Sequence, residues 1–165
     1  MNRLSSMPDP TPPPMRAFSE SLPITLLRAR EATMRLFRPM LADYGLTEQQ
    51  WRVLRALIAA SEPLEVSELA ERAILLAPSL SRILAKLEHD GLINRRPHRS
   101  DQRRSLITLS SEGAALVNTI APESERRYNA IEAEFGSERL RRLLVELHDL
   151  AQLEATVDDV EKAAS

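Results

Sequence analysis

Cysteine is absent from all 165 residues, which excludes disulfides, thiolate zinc sites and thiol-based redox sensing. Histidine is nearly absent as well: His89, His98 and His148 are scattered and offer no metal-ligand cluster. None of the four glycines belongs to a phosphate-cradling loop, and no nucleophile motif occurs, so neither an enzyme nor a cofactor is expected. No apolar run approaches the roughly 20 residues that a membrane-spanning helix needs. The stretch MNRLSSMPDPTPPP lacks the apolar core of a secretory signal, so the expected location is the cytoplasm.

What the chain does contain is 43% hydrophobic and 28% charged residues, enough for one compact domain with extra helices. Its net charge of -2 conceals an asymmetry. Residues 1–65 carry eight basic and seven acidic side chains, residues 66–110 eight and five, and residues 111–165 six and twelve. A basic excess confined to one stretch argues for one localised nucleic-acid footprint rather than a generally adhesive surface.

That basic stretch has an internal order. Val66, Leu69, Ala70 and Ala73, then Leu80, Ile83, Leu84 and Leu87, repeat the i, i+3, i+4, i+7 spacing of a buried helical face. The two predicted helices meet at Ile74-Leu75-Leu76-Ala77, whose apolar side chains are expected to plug the space between them, and Pro78 suits the first position of the second helix. The outer face of that helix carries Ser79, Ser81, Arg82, Ala85 and Lys86. Arg82 is the leading candidate for reading a base edge, Ser79 and Ser81 for base or phosphate contact, and Lys86 for phosphate. Gly91 is the predicted left-handed cap. After it, Leu92-Ile93 and Leu106-Ile107-Thr108-Leu109 flank NRRPHRSDQRR, which holds Arg95, Arg96, Arg99, Arg103 and Arg104 and one acid, Asp101. Two extended segments with a basic tip make a wing, and Asp101 is expected to pair with Arg103 or Arg104 and set its bend. The predicted class is therefore mainly α with a small β-wing, a winged helix-turn-helix for double-stranded DNA.

Four segments follow from the rest of the chain. Residues 1–20, with Pro8, Pro10, Pro12, Pro13 and Pro14, read as a disordered tail. Residues 21–46 read as a dimerisation helix, with Ser21 as its cap, an apolar face of Leu26, Leu27, Met34, Phe37, Leu41 and Tyr44, and a kink near Arg38 before Pro39. Residues 47–110 form the DNA-binding lobe. They open on a capping box, Thr47 to Gln50, that starts a helix at Glu48 with Trp51, Leu54, Leu57 and Ile58 inward. Trp51 reads either as core or as one wall of a cleft. Residues 111–165 hold a long helix with Leu116, Val117, Ile120, Ile131 and Phe135 on one side and a kink at Pro122, then a last helix from Ser137. Leu140, Leu143, Leu144, Leu147, Leu150, Leu153 and Val157 form a near coiled-coil seam on that last helix. Too little chain remains to cover it, so the terminal helices are expected to form a homodimer. Two recognition helices would then lie roughly 34 Å apart, on a pseudo-palindromic operator.

These residues resemble the MarR family of winged-helix regulators over nearly all of residues 21–155. The likeness rests on the helix pair, Gly91-Leu92-Ile93, the DxR pattern at Asp101 and Arg103, and LSSEG from Leu109 to Gly113. Within the family, the phrases LLRAREA, FRP and LTEQQWRVLR between Ser21 and Leu57, and LLAPSLSRIL from Leu75 to Leu84, look like regulators of homoprotocatechuate (4-hydroxyphenylacetate) degradation operons. The resemblance implies a dimeric repressor that covers its promoter until an aromatic acid binds between the dimer helices and the DNA-binding lobe. It also carries a wing role onto Asp101 and Arg103. The chain departs from the family at Ala77, where other members tend to have a basic residue, and in its proline-rich tail.

For an aromatic acid, Arg30 is the expected carboxylate anchor, because it falls on the inward stripe of the first helix and a charge there needs a partner. An ion pair with Glu31 of the partner subunit or with Glu48 would serve that charge equally well. Met34 and Trp51 are the expected apolar walls. A winged-helix module docking on an acidic protein, or a MarR-type regulator of a different aromatic or stress operon, is the alternative function.

Overall fold

The computed structural model describes residues 15–98 and 104–153. The chain divides into two compact units, one ending at Arg35 and the other beginning at Leu36. The expected tail is described only from Met15, and its last residues, Phe18–Glu20, form a single 3-10 turn. Helix α1 (Leu22–Asp43) follows, with Pro23 in its first turn, where a missing N–H costs nothing. In the first unit the Arg28 guanidinium lies 5.5 Å from the centre of the Phe18 ring. Leu26 and Leu27, two members of the expected inward stripe, are exposed.

The second unit contains the end of α1, then α2 (Glu48–Ile58), β1 (Leu64–Glu65), α3 (Val66–Ala73), α4 (Ala77–His89), β2 (Ile93–Pro97), β3 (Ser105–Leu109), α5 (Ser111–Phe135) and α6 (Ser137–Ala151). The three strands form an antiparallel sheet in the order β1-β3-β2. β1 was not legible as a strand, because two residues carry no periodicity; Leu64 opposite Ile107 and Glu65 opposite Leu106 define it. Helix α1 continues through Pro39 to Asp43, and α5 runs through Pro122, so neither proline ends its helix.

Local chemistry explains most boundaries. Thr47 and Gln50 form the capping box at the start of α2: Gln50 N–H donates to the Thr47 hydroxyl at 3.2 Å, and Thr47 N–H to the Gln50 amide oxygen at 2.8 Å. Gly45 and Gly91 have φ of +68° and +72° and close Schellman caps. In the second of these, Leu92 N–H bonds Leu87 C=O at 2.9 Å and Gly91 N–H bonds Glu88 C=O at 3.0 Å. Ser110 caps α5 by accepting from Gly113 N–H at 2.9 Å, and its hydroxyl donates to Gly91 C=O at 2.7 Å. One side chain thus ties the cap of the recognition helix to the first turn of α5.

Gly113 sits at that junction for a steric reason. A Cβ there would stand 2.1 Å from the Leu92 carbonyl oxygen, which belongs to rigid backbone. Around it the core is Phe37, Met40 and Leu41 from α1, Trp51, Val53, Leu54 and Leu57 from α2, Leu69, Leu80, Leu84 and Leu87 from the helix pair, Ile93 and Ile107 from the sheet, and Val117 and Ile120 from α5. At the far end of α1, the Tyr44 hydroxyl donates to Glu123 of α5 at 2.9 Å. That acceptor, helped by desolvation, holds the phenol's pKa above its ordinary value. Helix α6 differs from the rest, since it contains no buried residue.

Candidate nucleic-acid interface

Helix α4 is built to show one face. Leu80, Ile83, Leu84 and Leu87 are buried, while Ser81, Arg82, Ala85 and Lys86 are exposed and Ser79 is half-buried. The Ser81 hydroxyl donates back to Ala77 C=O at 3.1 Å, and Lys86 pairs with Asp90 one turn on at 2.6 Å. Arg82 makes no ion pair among the described residues, so its guanidinium is the uncommitted donor fork of this face.

The wing continues that face. β2 and β3 pair with Arg95 opposite Ile107 and Arg96 opposite Leu106. Successive strand residues point to opposite sides. Accordingly Arg95 turns toward Glu88 of α4, at 3.9 Å, while Arg96 has no acidic partner among the described residues. Arg104 grips Glu65 with two hydrogen bonds, one of them 2.8 Å from its Nε, and so ties β3 to the start of α3. Arg99, Asp101 and Arg103, and with them the pairing expected of Asp101, lie outside the described residues.

The turn between α3 and α4 departs from expectation. It spans only Ile74 to Leu76, because Ala77 already belongs to α4 and Pro78 is therefore its second residue. Ile74 and Leu76 do not plug the interior; they are 81% and 78% exposed, and only Leu75 turns partly inward. The cause is the backbone. Ile74 takes φ 52°, ψ 59° at the end of α3, with Leu75 N–H bonding Ala70 C=O at 2.9 Å. This is the left-handed capping position that glycine fills without strain and a β-branched residue fills at a cost of about 1 kcal/mol or more. Leu76 is the N-cap of α4 and supplies no side-chain cap, a further cost of about 1 kcal/mol relative to serine or aspartate.

Arg52 of α2 offsets part of this. Its Nη1 donates to Ala73 C=O at 2.8 Å and Ile74 C=O at 3.0 Å, while its Nε lies 4.0 Å from Glu48, which also meets Arg38 at 3.5 Å. Arg52 escaped notice in the sequence, although its i, i+4 spacing from Glu48 was a visible signal. Gly113 and Ser110 also carry no signal of their role beyond LSSEG, because the Leu92 carbonyl they meet is brought in by the fold.

The expected effector residues are placed as follows. Arg30 on α1 is exposed in the single chain rather than inward, and donates to Glu31 of its own chain at 2.8 Å. Met34 is half-buried on the same helix. Trp51 is buried on α2, with the Arg55 guanidinium 5.8 Å from its ring centre. Among the described residues no group of three histidine, aspartate or glutamate side chains could hold a metal ion, and no helix is long and apolar enough to cross a membrane.

Known proteins share this arrangement. Residues 46–105 match the MarR family. The homoprotocatechuate degradative operon repressor of Escherichia coli is 45% identical over 124 residues, covering 75% of this chain and 83% of that protein. The HTH-type transcriptional regulator FarR of Neisseria gonorrhoeae is 42% identical over 141 residues, covering 86% and 96%. The crystal structure of NadR in complex with 4-hydroxyphenylacetate superposes with a TM-score of 0.74 at 40% identity, covering 86% of this chain and 99% of that one. The sequence and the winged-helix architecture agree, and the chain belongs to the MarR family.

Proposed function

We propose that the protein is a cytoplasmic, non-catalytic homodimeric repressor that binds a pseudo-palindromic operator and is released by a small aromatic carboxylic acid of the 4-hydroxyphenylacetate or homoprotocatechuate type. The observation that carries the DNA reading is the outer face of α4 continued by the wing, where Arg82 and Arg96 are exposed cations without acidic partners among the described residues. A guanidinium free of local acids can bond guanine O6 and N7 in the major groove or enter a narrow minor groove. Ser79 and Ser81 are assigned to bases or phosphates, Lys86 to phosphate, and Arg95 and Arg104 to the minor groove or the backbone, with Arg99, Asp101 and Arg103 assigned to the wing tip. The dimer reading is supported by α6, whose Leu143, Leu144 and Val145 are exposed in the single chain.

The effector reading rests on the relatives: one 45% identical protein is named for repression of homoprotocatechuate degradation, and one 40% identical structure holds 4-hydroxyphenylacetate. Arg30 is assigned the carboxylate, with Met34 and Trp51 as apolar contacts; binding would exchange the Arg30–Glu31 ion pair for one to the ligand carboxylate. Ligand then favours the dimer state of lower DNA affinity by its differential affinity for the two states.

Fluorescence anisotropy on a duplex from the gene's own upstream region tests the reading. Affinity should exceed that for scrambled DNA and fall steeply with salt. Arg82→Ala should lose about 1–3 kcal/mol of operator binding while keeping the wild-type unfolding transition. Millimolar 4-hydroxyphenylacetate should release the duplex, and Arg30→Ala should bind DNA yet ignore the acid. Sequence-independent binding would refute the repressor, and an unaltered Arg82→Ala would assign the basic face to an acidic protein.

A further inference from the structure

Resting on the DNA reading above, we infer that Leu76, with Ala77 and Pro78, is a specificity-determining contact that reads the C5-methyl group of a thymine in each operator half-site. Recognition helices enter the major groove with their first residues against the base edges. In this chain those residues are Leu76, Ala77 and Pro78, all exposed, and none offers a side-chain donor or acceptor. The polar and cationic groups begin only afterwards, at Ser79 and Arg82. An apolar helix tip meets one apolar feature in the major groove, the thymine methyl, and is poorly matched to the polar edges of the other bases.

The local structure points the same way. A capping residue would serve α4 better at position 76, and glycine would serve the turn better at 74, yet both positions hold large apolar side chains turned to solvent. Arg52 secures the turn by binding the Ala73 and Ile74 carbonyls rather than by drawing either side chain into the core. Local rules broken without any gain in burial are characteristic of positions kept for a contact outside the chain. The occupant is duplex DNA because the same helix carries Arg82 and the strand packed against it, β2, carries Arg96, both exposed and without acidic partners among the described residues.

The test compares the gene's upstream duplex with versions in which deoxyuridine replaces single thymines, so that only a methyl group is lost. Full-length wild-type protein should bind one such version per half-site roughly fourfold more weakly, the value of one buried methyl group. Leu76→Ser and Leu76→Ala, which lose the contact in both half-sites, should bind the thymine duplex roughly fifteenfold more weakly and lose the difference between thymine and uracil. The serine variant should melt at or above the wild-type temperature, since it restores a cap, which separates recognition from folding. Equal wild-type affinity for every uracil duplex, or a uracil effect that persists in both variants, overturns the contact. Wild-type protein that cannot distinguish upstream from scrambled DNA overturns the DNA reading itself, and this contact with it.

Discussion

Between Thr47 and Ser110 every helix buries an apolar stripe within the chain, whereas α6 buries none of its fifteen residues. Both regions have the hydrophobic spacing of amphipathic helices. What separates them is company: α2, α3 and α4 face one another and the small sheet, while Leu143 and Leu144 of α6 stay exposed among the described residues. The contrast teaches that the winged lobe is packed by its own residues, whereas α6 keeps an apolar face exposed, the face assigned above to a second copy. It also locates the lobe's local irregularities, Ile74 and Leu76, on the side where DNA is expected.

The sharpest way to break the lobe is Gly113→Ala. The added methyl group collides with the Leu92 carbonyl, so α5 must move off the cap of α4. A loss of about 3 kcal/mol in urea unfolding is expected, at the upper end of overpacking costs. Wild-type stability would show that α5 can shift freely against β2. For the other side of the comparison, Leu144→Glu places a charge on the exposed seam of α6. Sedimentation should show self-association weakened by on the order of 2 kcal/mol with the lobe still folded; if the lobe unfolds as well, the two regions are not independent.

Ile74→Gly sharpens the account of the turn. Glycine takes φ 52° without strain, so thermal unfolding should gain about 1 kcal/mol. A loss of stability would mean that the exposed side chain supports the turn after all. The smallest effect is electrostatic. The Glu112 carboxyl, in the first turn of α5, lies below its ordinary value because its own backbone N–H and then the Ser111 hydroxyl favour the anion. A depressed carboxylate contributes stability above its unfolded pKa, about 4.3, and that contribution fades as pH falls through the folded value. Glu112→Gln should therefore flatten the stability profile below about pH 4.3. An identical profile would remove the carboxylate from the cap.

Much of this architecture was legible beforehand. Period 3.6 placed α2, α3 and α4, the capping box set Glu48 as a helix start, and Gly91 marked the end of the recognition helix, because each of these signals operates within a few residues of chain. Arg82 stands out for the same reason, as charge on a helix face defined by its buried opposite. Three features do not. β1 is too short for a pattern and exists because β3 pairs with it. Apolar Ile, Leu and Leu predict a plug at the turn, yet a left-handed backbone at Ile74 turns two of them outward. Arg52 meets carbonyls more than twenty residues away, which no local pattern announces.

The sequence by itself determined the helices, the caps at Thr47 and Gly91, the two long strands of the wing and the localised positive charge, since these depend on spacing and on interactions between near neighbours. Only the tertiary structure decided that Arg52 holds the carbonyls of Ala73 and Ile74, that Gly113 must lack a side chain because Leu92 backbone lies against it, and that Leu76 faces outward at the tip of α4. Each depends on a partner about twenty residues away or on the direction in which one backbone turn aims a side chain. No local periodicity encodes either quantity.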